Sequence, residues 1–291
     1  MTSGTFPGPP PAPLWDPRQY GRYADDRARP RRELLARVPA LPAEASGAAP
    51  RIADLGCGTG GPTAELAERW PAAHLTGYDN SAAMLAEART HAGATPGGGT
   101  LDFAHADLAT WRPAPADTFD LIFSNAAFHW IPAAGGEGRL TGHTAAFPAY
   151  VAALAPGGVL AFQVPGNFAA PSHTLLSALR RSPRWRDRLG AETAGDAVLD
   201  PAGYFEVLAP LGCAVDTWET TYTHVLPGPD PVLEWVKGTT LRPVLTRLAD
   251  DPEARDAFLE EYAAALRTAY PRGPSGTLFP FRRVFAVAVR R

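Results

Sequence analysis

The sequence predicts an α/β fold built on a doubly wound, mostly parallel β-sheet. Short runs of strand-forming residues alternate with helical stretches from about residue 50 onward. A glycine-rich loop separates the first predicted strand from the first predicted helix, and acidic residues mark the ends of three successive strands. Strands that alternate with helices form a parallel sheet with helices on both faces. Ligands of such sheets bind beyond the carboxyl ends of the strands, so the functional site is expected in the loops there.

The composition is that of an ordinary globular enzyme. The chain has 291 residues, of which 45% are hydrophobic and 20% are charged. Its net charge of −3 gives no general reason to bind nucleic acid or an anionic membrane. No apolar run approaches the ~20 residues that span a bilayer. The sequence leaves the oligomeric state open.

The first residues of the chain show no export signal. Residues 1–13 are rich in glycine and proline and lack the basic and apolar regions of a secretory signal, so we expect a disordered lead-in. The two cysteines, Cys57 and Cys213, stand alone in the sequence and indicate no disulfide framework. A reducing cytoplasm is therefore the expected location.

Hydrophobic periodicity and turn residues place the elements. Strands are predicted at 51–55, 75–78, 101–106, 119–124 and 159–164, and helices at 62–70, 81–91 and 146–154. Ser81 is the predicted N-cap of the second of these helices. The alternating stretches 215–225 and 284–289 are predicted to form an antiparallel edge pair. The glycine-rich stretches 93–99 and 133–142 are predicted to be flexible surface loops.

The same pattern predicts five segments. After the lead-in come an N-terminal helical lid (14–45), a core (46–166), a helical insertion (167–213), and edge strands (214–291) that enclose a helical cover (229–270). Insertions around such a core commonly carry the substrate-binding residues.

The motif Asp54-Leu-Gly56-Cys57-Gly58-Thr-Gly-Gly61 carries the chemistry. It comes directly after the first strand and before the first helix. Glycines let the backbone turn sharply and approach a ligand, and the helix start offers unpaired N–H groups. Because Gly56, Gly58 and Gly61 also satisfy G-x-G-x-x-G, a dinucleotide-binding dehydrogenase is an alternative.

Three aspartates favour a different cofactor. Asp54, two residues before the first glycine, would crowd an approaching pyrophosphate. Asp79 follows the second strand, where an acceptor for ribose hydroxyls is expected. Asp107 follows the third strand and suits hydrogen bonding to an adenine amino group. A cationic cofactor without phosphate accounts for three acids around one loop, so the residues favour S-adenosylmethionine over NAD.

These residues resemble the class I S-adenosylmethionine methyltransferases, which have a Rossmann-like sheet. Further segments resemble the trans-aconitate 2-methyltransferase family, from about Trp15 to the C-terminus; the more specific ones are 218–224, 238–243 and 281–285. The resemblance implies O-methylation of a carboxylate on a small polycarboxylic acid. A carboxylate with a pKa of about 4 is ionised at neutral pH and needs no general base. Binding and alignment then supply most of the catalysis.

The resemblance also implies a set of site residues. Arg242 and Arg283 are predicted to clamp carboxylates, because a guanidinium binds them through two hydrogen bonds. His129 and Trp130, after the fourth strand, are predicted to lie where substrate meets cofactor, and Trp15 to close the lid. Further substrate contacts are predicted for Tyr222, His224, His173 and Arg29. The predicted cofactor site comprises Asp54, Gly56, Cys57, Gly58, Asp79, Asn80, Asp107, Leu108 and Asn125.

Two other functions stay open from the sequence. The chain could methylate nitrogen or oxygen of a secondary metabolite with His129 as a base, or it could bind S-adenosylmethionine without catalysis. His129 stands where a related protein often carries glutamine, and the loop 133–143 is longer than the family pattern. No His, Cys or carboxylate cluster has metal-ligand spacing, so no metal is expected.

Overall fold

The computed structural model describes residues 24–131, 140–190 and 198–291, whose strands form one nine-stranded mixed sheet. Its order is β3-β4-β2-β1-β5-β6-β9-β7, with β8 pairing only with β9. The strands are β1 (Arg51–Leu55), β2 (His74–Asp79), β3 (Gly93–Ala94), β4 (Thr100–His105), β5 (Phe119–Asn125), β6 (Leu154–Pro165), β7 (Cys213–Leu226), β8 (Arg272–Gly273) and β9 (Gly276–Arg290).

The centre of the sheet is parallel, which confirms the predicted fold class. β1 pairs in parallel with β2 on one side and with β5 on the other, and the parallel pairs β2–β4 and β5–β6 extend it. The chain therefore winds outward from β1 in both directions. The carboxyl ends of these five strands share one edge of the sheet, with the switch point between β1 and β5.

The two stretches predicted to form an edge pair are neighbours at one end of the sheet, as β7 and β9. β9 runs antiparallel to β6 and lies between β6 and β7, so β7 alone forms this edge. At the opposite edge, the stretch 93–99, predicted to be a flexible surface loop, is largely exposed and contains a short strand. Gly93 and Ala94 pair with β4, and the N–H of Thr95 donates to the carbonyl of Gly99 at 3.1 Å, which makes a short hairpin.

Twelve α-helices lie in the described part of the chain. They are α1 (Ala24–Ala36), α2 (Pro42–Ser46), α3 (Gly61–Arg69), α4 (Ala82–Ala88), α5 (Leu140–Thr144), α6 (Phe147–Ala152), α7 (Pro171–Arg181), α8 (Arg186–Leu189), α9 (Pro201–Leu208), α10 (Pro231–Lys237), α11 (Arg242–Arg247) and α12 (Pro252–Ala269). The predicted N-cap is confirmed, since Ser81 Oγ accepts a hydrogen bond from the N–H of Met84 at 3.3 Å.

Both faces of the sheet are buried. On β5, Leu121 and Phe123 belong to one core cluster and Ile122 to the other. Successive side chains of a strand point to opposite faces, so this alternation places a core on each side. Near-continuous apolar strands follow from that arrangement, as the sequence of β5 shows.

The chain divides into two compact units. The core unit has the described residues 24–131, 140–169, 198–223 and 280–291, and the helical unit has 170–190 and 224–279. Within the helical unit, the ring of Trp185 meets that of Phe258 edge-on at 5.2 Å between centroids. α12 buries Phe258, Tyr262 and Leu266, one turn apart, as the predicted periodicity requires.

Some predicted features lie outside the described residues. These are the lead-in at 1–13, the start of the lid including Trp15, and most of the loop at 133–142. In the described part of the chain, no helix is both long and apolar enough to cross a membrane.

Candidate active site

The glycine loop bends sharply over the end of β1. Gly56, Gly58 and Gly60 have φ angles of +83°, +57° and +79°, in the left-handed region that favours glycine. The N–H groups of Gly56 and Cys57 donate to the carbonyl of Tyr78 at 2.8 and 3.0 Å, which ties the loop to β2. A Cβ at Gly58 would meet nothing within 4 Å. The loop is therefore open at Gly58, where a ligand can approach the backbone.

Asp79 holds this loop from the tip of β2. Its Oδ2 accepts a hydrogen bond from the N–H of Gly58 at 2.9 Å, and its Oδ1 accepts one from the N–H of Ser81 at 2.9 Å. The side chain is half-buried, while its neighbour Asn80 is exposed. A carboxylate fixed in this way keeps further lone pairs for a ligand hydroxyl.

Asp54 lies beneath the loop. It is 2% exposed, and its Oδ2 accepts a hydrogen bond from Thr63 Oγ1 at 2.7 Å. Burial raises the pKa of Asp54 to about 7, and the nearby charge of Asp79 adds to this. The predicted crowding of a pyrophosphate by this side chain is wrong, because the carboxyl group is buried and bonded to α3. Direct contact with a cofactor stays a prediction.

Asp107 and Leu108 follow β4. The Asp107 side chain is exposed, and its Oδ1 accepts a hydrogen bond from the N–H of Ala109 at 2.9 Å, so it caps a turn. Leu108 Cδ1 lies 3.7 Å from where a Cβ on Gly56 would stand. The structure thus brings Leu108 next to the first glycine of the loop.

A buried polar row crosses three strands at the same edge. Gln163 Nε2 donates to Asn125 Oδ1 at 2.7 Å, and Arg283 donates from its guanidinium to Gln163 Oε1 at 3.4 Å. Gln163 is 1% exposed and Arg283 is 8% exposed. The sequence predicted Asn125 and Arg283 but missed Gln163. A lone amide within the apolar run of β6 is the signal that points to it.

His129 and Trp130 lie on a 3-10 turn, Phe128–Trp130, a few residues after Asn125. Their rings are 4.8 Å apart between centroids, and the His129 ring lies 6.5 Å from that of Phe168. His129 is buried, whereas Trp130 is exposed. The structure therefore places both predicted residues on the turn that follows the carboxyl end of β5.

Glu33 on α1 engages the predicted substrate residue Tyr222. The Tyr222 hydroxyl donates to Glu33 Oε2, while Trp218 Nε1 and Thr220 Oγ1 donate to Oε1 at 2.8 and 2.7 Å. The guanidinium carbon of Arg29 lies 4.9 Å from the centre of the Tyr222 ring. The sequence missed Glu33, although three hydrogen-bonding side chains at alternate positions of β7 could have indicated an acceptor.

The ionisation of this pair follows from its surroundings. Burial raises the pKa of Glu33, but hydrogen bonds from Thr220, Tyr222 and Trp218 outweigh it, so the pKa is lowered. Burial and the bond to Glu33 raise the pKa of Tyr222. Glu33 is therefore charged and Tyr222 neutral at pH 7. The Tyr222 hydroxyl already donates its proton to Glu33. A role of Tyr222 as a hydrogen-bond donor to the substrate stays a prediction.

The helical unit carries Arg242. The residue begins α11 and is half-buried. Its Nε atom is buried without a hydrogen-bond partner, and no acidic side chain of the described chain pairs with its guanidinium. A buried N–H donor without a partner is costly unless an acceptor binds to it.

His173 and His224 also lie in the helical unit. His173 Nε2 is 3.1 Å from Thr240 Oγ1, two residues before Arg242 in the chain. Burial lowers the pKa of His173 to about 4, so its ring is neutral at pH 7. The His224 ring stacks on that of Trp235 at 4.6 Å between centroids. Roles for both in substrate binding stay predictions.

Within 24–131, 140–190 and 198–291, no cluster of three or more His, Cys, Asp or Glu side chains is arranged to hold a metal ion.

Known proteins resemble this chain over nearly its whole length. A family model described as a methyltransferase domain matches residues 52–158. A trans-aconitate 2-methyltransferase of Streptomyces coelicolor is 57% identical over 95% of this chain and 87% of its own. One from Streptomyces avermitilis is 58% identical over 95% of this chain and 97% of its own. This chain belongs to the trans-aconitate 2-methyltransferase family.

A solved structure has the same fold. A putative sarcosine dimethylglycine methyltransferase from Galdieria sulphuraria superposes with a TM-score of 0.50 at 13% identity, over 95% of this chain and 91% of the other. Membership of the family confirms the predicted class I, Rossmann-like methyltransferase and excludes the dehydrogenase alternative. The cofactor of the family is S-adenosylmethionine, as predicted.

The residues present fit this cofactor. The loop is open at Gly58, where the backbone can be approached closely, and Asp79 is fixed beside it. The loop and the two following strand ends together offer carboxylates and backbone groups. A cationic nucleoside suits that donor set.

Proposed function

We propose that this protein methylates a carboxylate oxygen of trans-aconitate or a closely related tricarboxylic acid. The observation that carries the proposal is Arg242, a half-buried guanidinium with a buried, unpartnered Nε. The family of this chain supports the same substrate class, since the relatives at 57% and 58% identity are named for trans-aconitate.

The reaction requires little acid–base catalysis by the protein. The acceptor carboxylate is ionised at neutral pH, so no group has to remove a proton from it. When bound, S-adenosylmethionine supplies a methyl group on a positively charged sulfur, and the electron pair of the broken C–S bond stays with that sulfur. The protein's task is to hold the acceptor oxygen in line with the methyl carbon at about 3 Å.

Each group of residues has a place in that task. Asp79 would bind the cofactor beside the open backbone at Gly58, with Leu108 against it. Predicted cofactor contacts from Asn80, Asp107 and Asn125 belong to the same proposal. Arg242 would bind a carboxylate of the acceptor through two hydrogen bonds. Since His173 is neutral at pH 7, it would add a hydrogen bond rather than a charge.

A reducing cytoplasm is the location that we infer for this activity. Both cysteines, Cys57 and Cys213, are buried and carry no disulfide.

Arg242 variants test the proposal. Arg242→Ala should raise KM for trans-aconitate about 100-fold, because a desolvated carboxylate loses its partner, whereas Arg242→Lys should recover part of that loss. Arg255→Ala is the matched control: it removes a partly exposed arginine of the same unit, paired with Asp256 at the surface. Unchanged KM in Arg242→Ala, or equal effects of both alanine variants, would show that Arg242 binds no substrate carboxylate.

A further inference from the structure

Resting on the proposed function, we propose that the hydroxyl group of Thr240 donates a hydrogen bond to a carboxylate of the methyl acceptor, in addition to the bonds from Arg242. His173 and Ser172 are positioning residues, because they direct the proton of Thr240 toward the substrate. The side chains form a hydrogen-bonded relay, which runs from Ser172 through His173 to Thr240 within the helical unit. The relay gives the site a neutral donor as well as a charged one.

The relay joins the start of α7 to the turn before α11. Ser172 and His173 lie in the first turn of α7. Thr240 stands two residues before Arg242, which is the first residue of α11. Leu241, between them, is 0% exposed, so the packing of its side chain fixes this turn. One fixed segment of the backbone therefore carries both proposed donors.

Ser172 is buried at the inner end of the relay. Its N–H donates to the Tyr270 hydroxyl at 3.0 Å, and its carbonyl accepts from the Tyr262 hydroxyl. Its Oγ lies 3.3 Å from His173 Nδ1 and has no other hydrogen-bond partner among the residues that the structure describes. Because a buried hydroxyl without an acceptor is costly, the Ser172 O–H donates to Nδ1.

The ring of His173 passes this direction on. Burial lowers the pKa of His173 to about 4, so the neutral ring carries its single proton on one nitrogen at pH 7. Since Nδ1 accepts from Ser172, the proton is on Nε2, which lies 3.1 Å from Thr240 Oγ1. Nε2 therefore donates to Thr240. The Ser172 hydroxyl alone places this proton, whatever else His173 contacts, and His173 acts on the substrate through Thr240.

Thr240 then has a proton to donate. Its Oγ1 accepts from His173, and no group in the described part of the chain accepts from its O–H. The side chain is half-buried, which limits its contact with water. A carboxylate oxygen has only lone pairs and matches such a donor. The buried Nε of Arg242 also lacks a partner, and a polycarboxylic acid has enough oxygens to accept from both residues.

Four variants separate this role from a structural one. Thr240→Val removes the hydroxyl with little change in size, whereas Thr240→Ser keeps it. Ser172→Ala allows the ring of His173 to carry its proton on either nitrogen. Thr268→Val is the control, because Thr268 is exposed on α12 and its hydroxyl donates to the carbonyl of Ala264 at 3.2 Å. For each variant, kcat and KM for trans-aconitate, the Kd of S-adenosylmethionine and the melting temperature are measured.

The expected change is in KM. Thr240→Val should raise KM for trans-aconitate about 10-fold, because a carboxylate loses a donor, while kcat and the cofactor Kd change less than about 3-fold. Thr240→Ser should restore KM. Ser172→Ala should raise KM about 3-fold, because the Thr240 proton is then directed to the substrate in only part of the molecules. Thr268→Val should keep the wild-type KM. An unchanged KM in Thr240→Val, or no recovery in Thr240→Ser, would overturn the proposal.

Nitrogen NMR of protein labelled at histidine locates the proton of the His173 ring. A ring nitrogen that carries a proton differs in chemical shift from one that does not, and the signal lost in His173→Gln identifies the residue. We expect the proton on Nε2 in the wild type and on both nitrogens, in exchange, in Ser172→Ala. A wild-type proton on Nδ1 would overturn the proposal, because the Thr240 proton would then be donated to His173.

Wild-type turnover separates this proposal from the proposed function. If the purified protein methylates no carboxylic acid, the proposed function fails and the role of Thr240 fails with it. If the protein methylates trans-aconitate and Thr240→Val keeps the wild-type KM, only the role of Thr240 fails.

Discussion

Asp79 accepts a hydrogen bond from the backbone N–H of Gly58 at 2.9 Å, although the two residues are 21 positions apart. The bond joins the glycine loop after β1 to the tip of β2. Asp79 therefore has two effects on cofactor binding, since it supplies a carboxylate and also sets the shape of the loop.

Replacing Asp79 should remove cofactor binding. Asp79→Ala loses the carboxylate and both backbone hydrogen bonds, so affinity for S-adenosylmethionine should fall at least about 100-fold by calorimetry. Asp79→Asn keeps one acceptor oxygen and should lose less. Asp102→Ala, at an exposed position on β4, is the control that should bind normally. Retained affinity in Asp79→Ala would count against the cofactor site described above.

The two loop glycines should respond differently to a methyl group. A Cβ on Gly56 would lie 2.1 Å from Ala127 Cβ, whereas one on Gly58 would meet nothing within 4 Å. Gly56→Ala should thus lower the free energy of unfolding by about 2–4 kcal/mol, and Gly58→Ala by about 1 kcal/mol for its backbone alone. Urea unfolding measures both. The double variant with Ala127→Gly should recover part of the Gly56→Ala loss, and no recovery would mean that the clash is not the cause.

Asp54 should make stability depend on pH. Its pKa of about 7 in the folded chain exceeds its ordinary value, so between pH ~4 and ~7 the folded state binds a proton that the unfolded state does not. The free energy of unfolding should therefore fall as pH rises through that window, by on the order of 2–4 kcal/mol. Asp54→Asn should flatten this slope. Urea unfolding of the wild-type protein and of Asp54→Asn across this pH window tests the prediction. Parallel profiles of stability against pH would contradict the raised pKa of Asp54.

Glu33 should hold α1 to β7. Glu33→Ala leaves the donors on Trp218, Thr220 and Tyr222 without their acceptor, and should reduce the free energy of unfolding by about 2–4 kcal/mol. Because the folded pKa of Glu33 is lowered, its stabilisation is present above the ordinary glutamate pKa and is lost as pH falls below it. Thermal melting measures the loss of stability, with Glu68→Ala, at an exposed site on α3, as the control. Equal melting temperatures of Glu33→Ala and Glu68→Ala would refute the role of Glu33.

The sequence predicted those features that depend on local pattern. Alternating strands and helices, the Ser81 N-cap and the placement of Asp79 at a strand tip all follow from neighbours within a few residues. The predicted parallel centre of the sheet indicated the fold class. The segment 281–285, which resembles the family, indicated the substrate family. Those predictions needed no knowledge of which side chain meets which.

Long-range hydrogen-bond partners could not be predicted in the same way. Gln163 meets residues 38 and 120 positions away, and Glu33 meets Tyr222 across 189 positions. Which polar groups pair depends on strand register, and a one-residue slip would turn them to the other face. For the same reason the burial of Asp54 and the engagement of the Tyr222 hydroxyl could not be foreseen from residue type.

The most direct test of the central claim is mass spectrometry of the product formed from S-adenosylmethionine and trans-aconitate by the purified protein. We expect a mono-methyl ester that mild alkali returns to trans-aconitate, with little product from neutral phenols or amines. A chain that leaves trans-aconitate and other di- and tricarboxylic acids unmethylated, yet turns over a neutral acceptor, would contradict it.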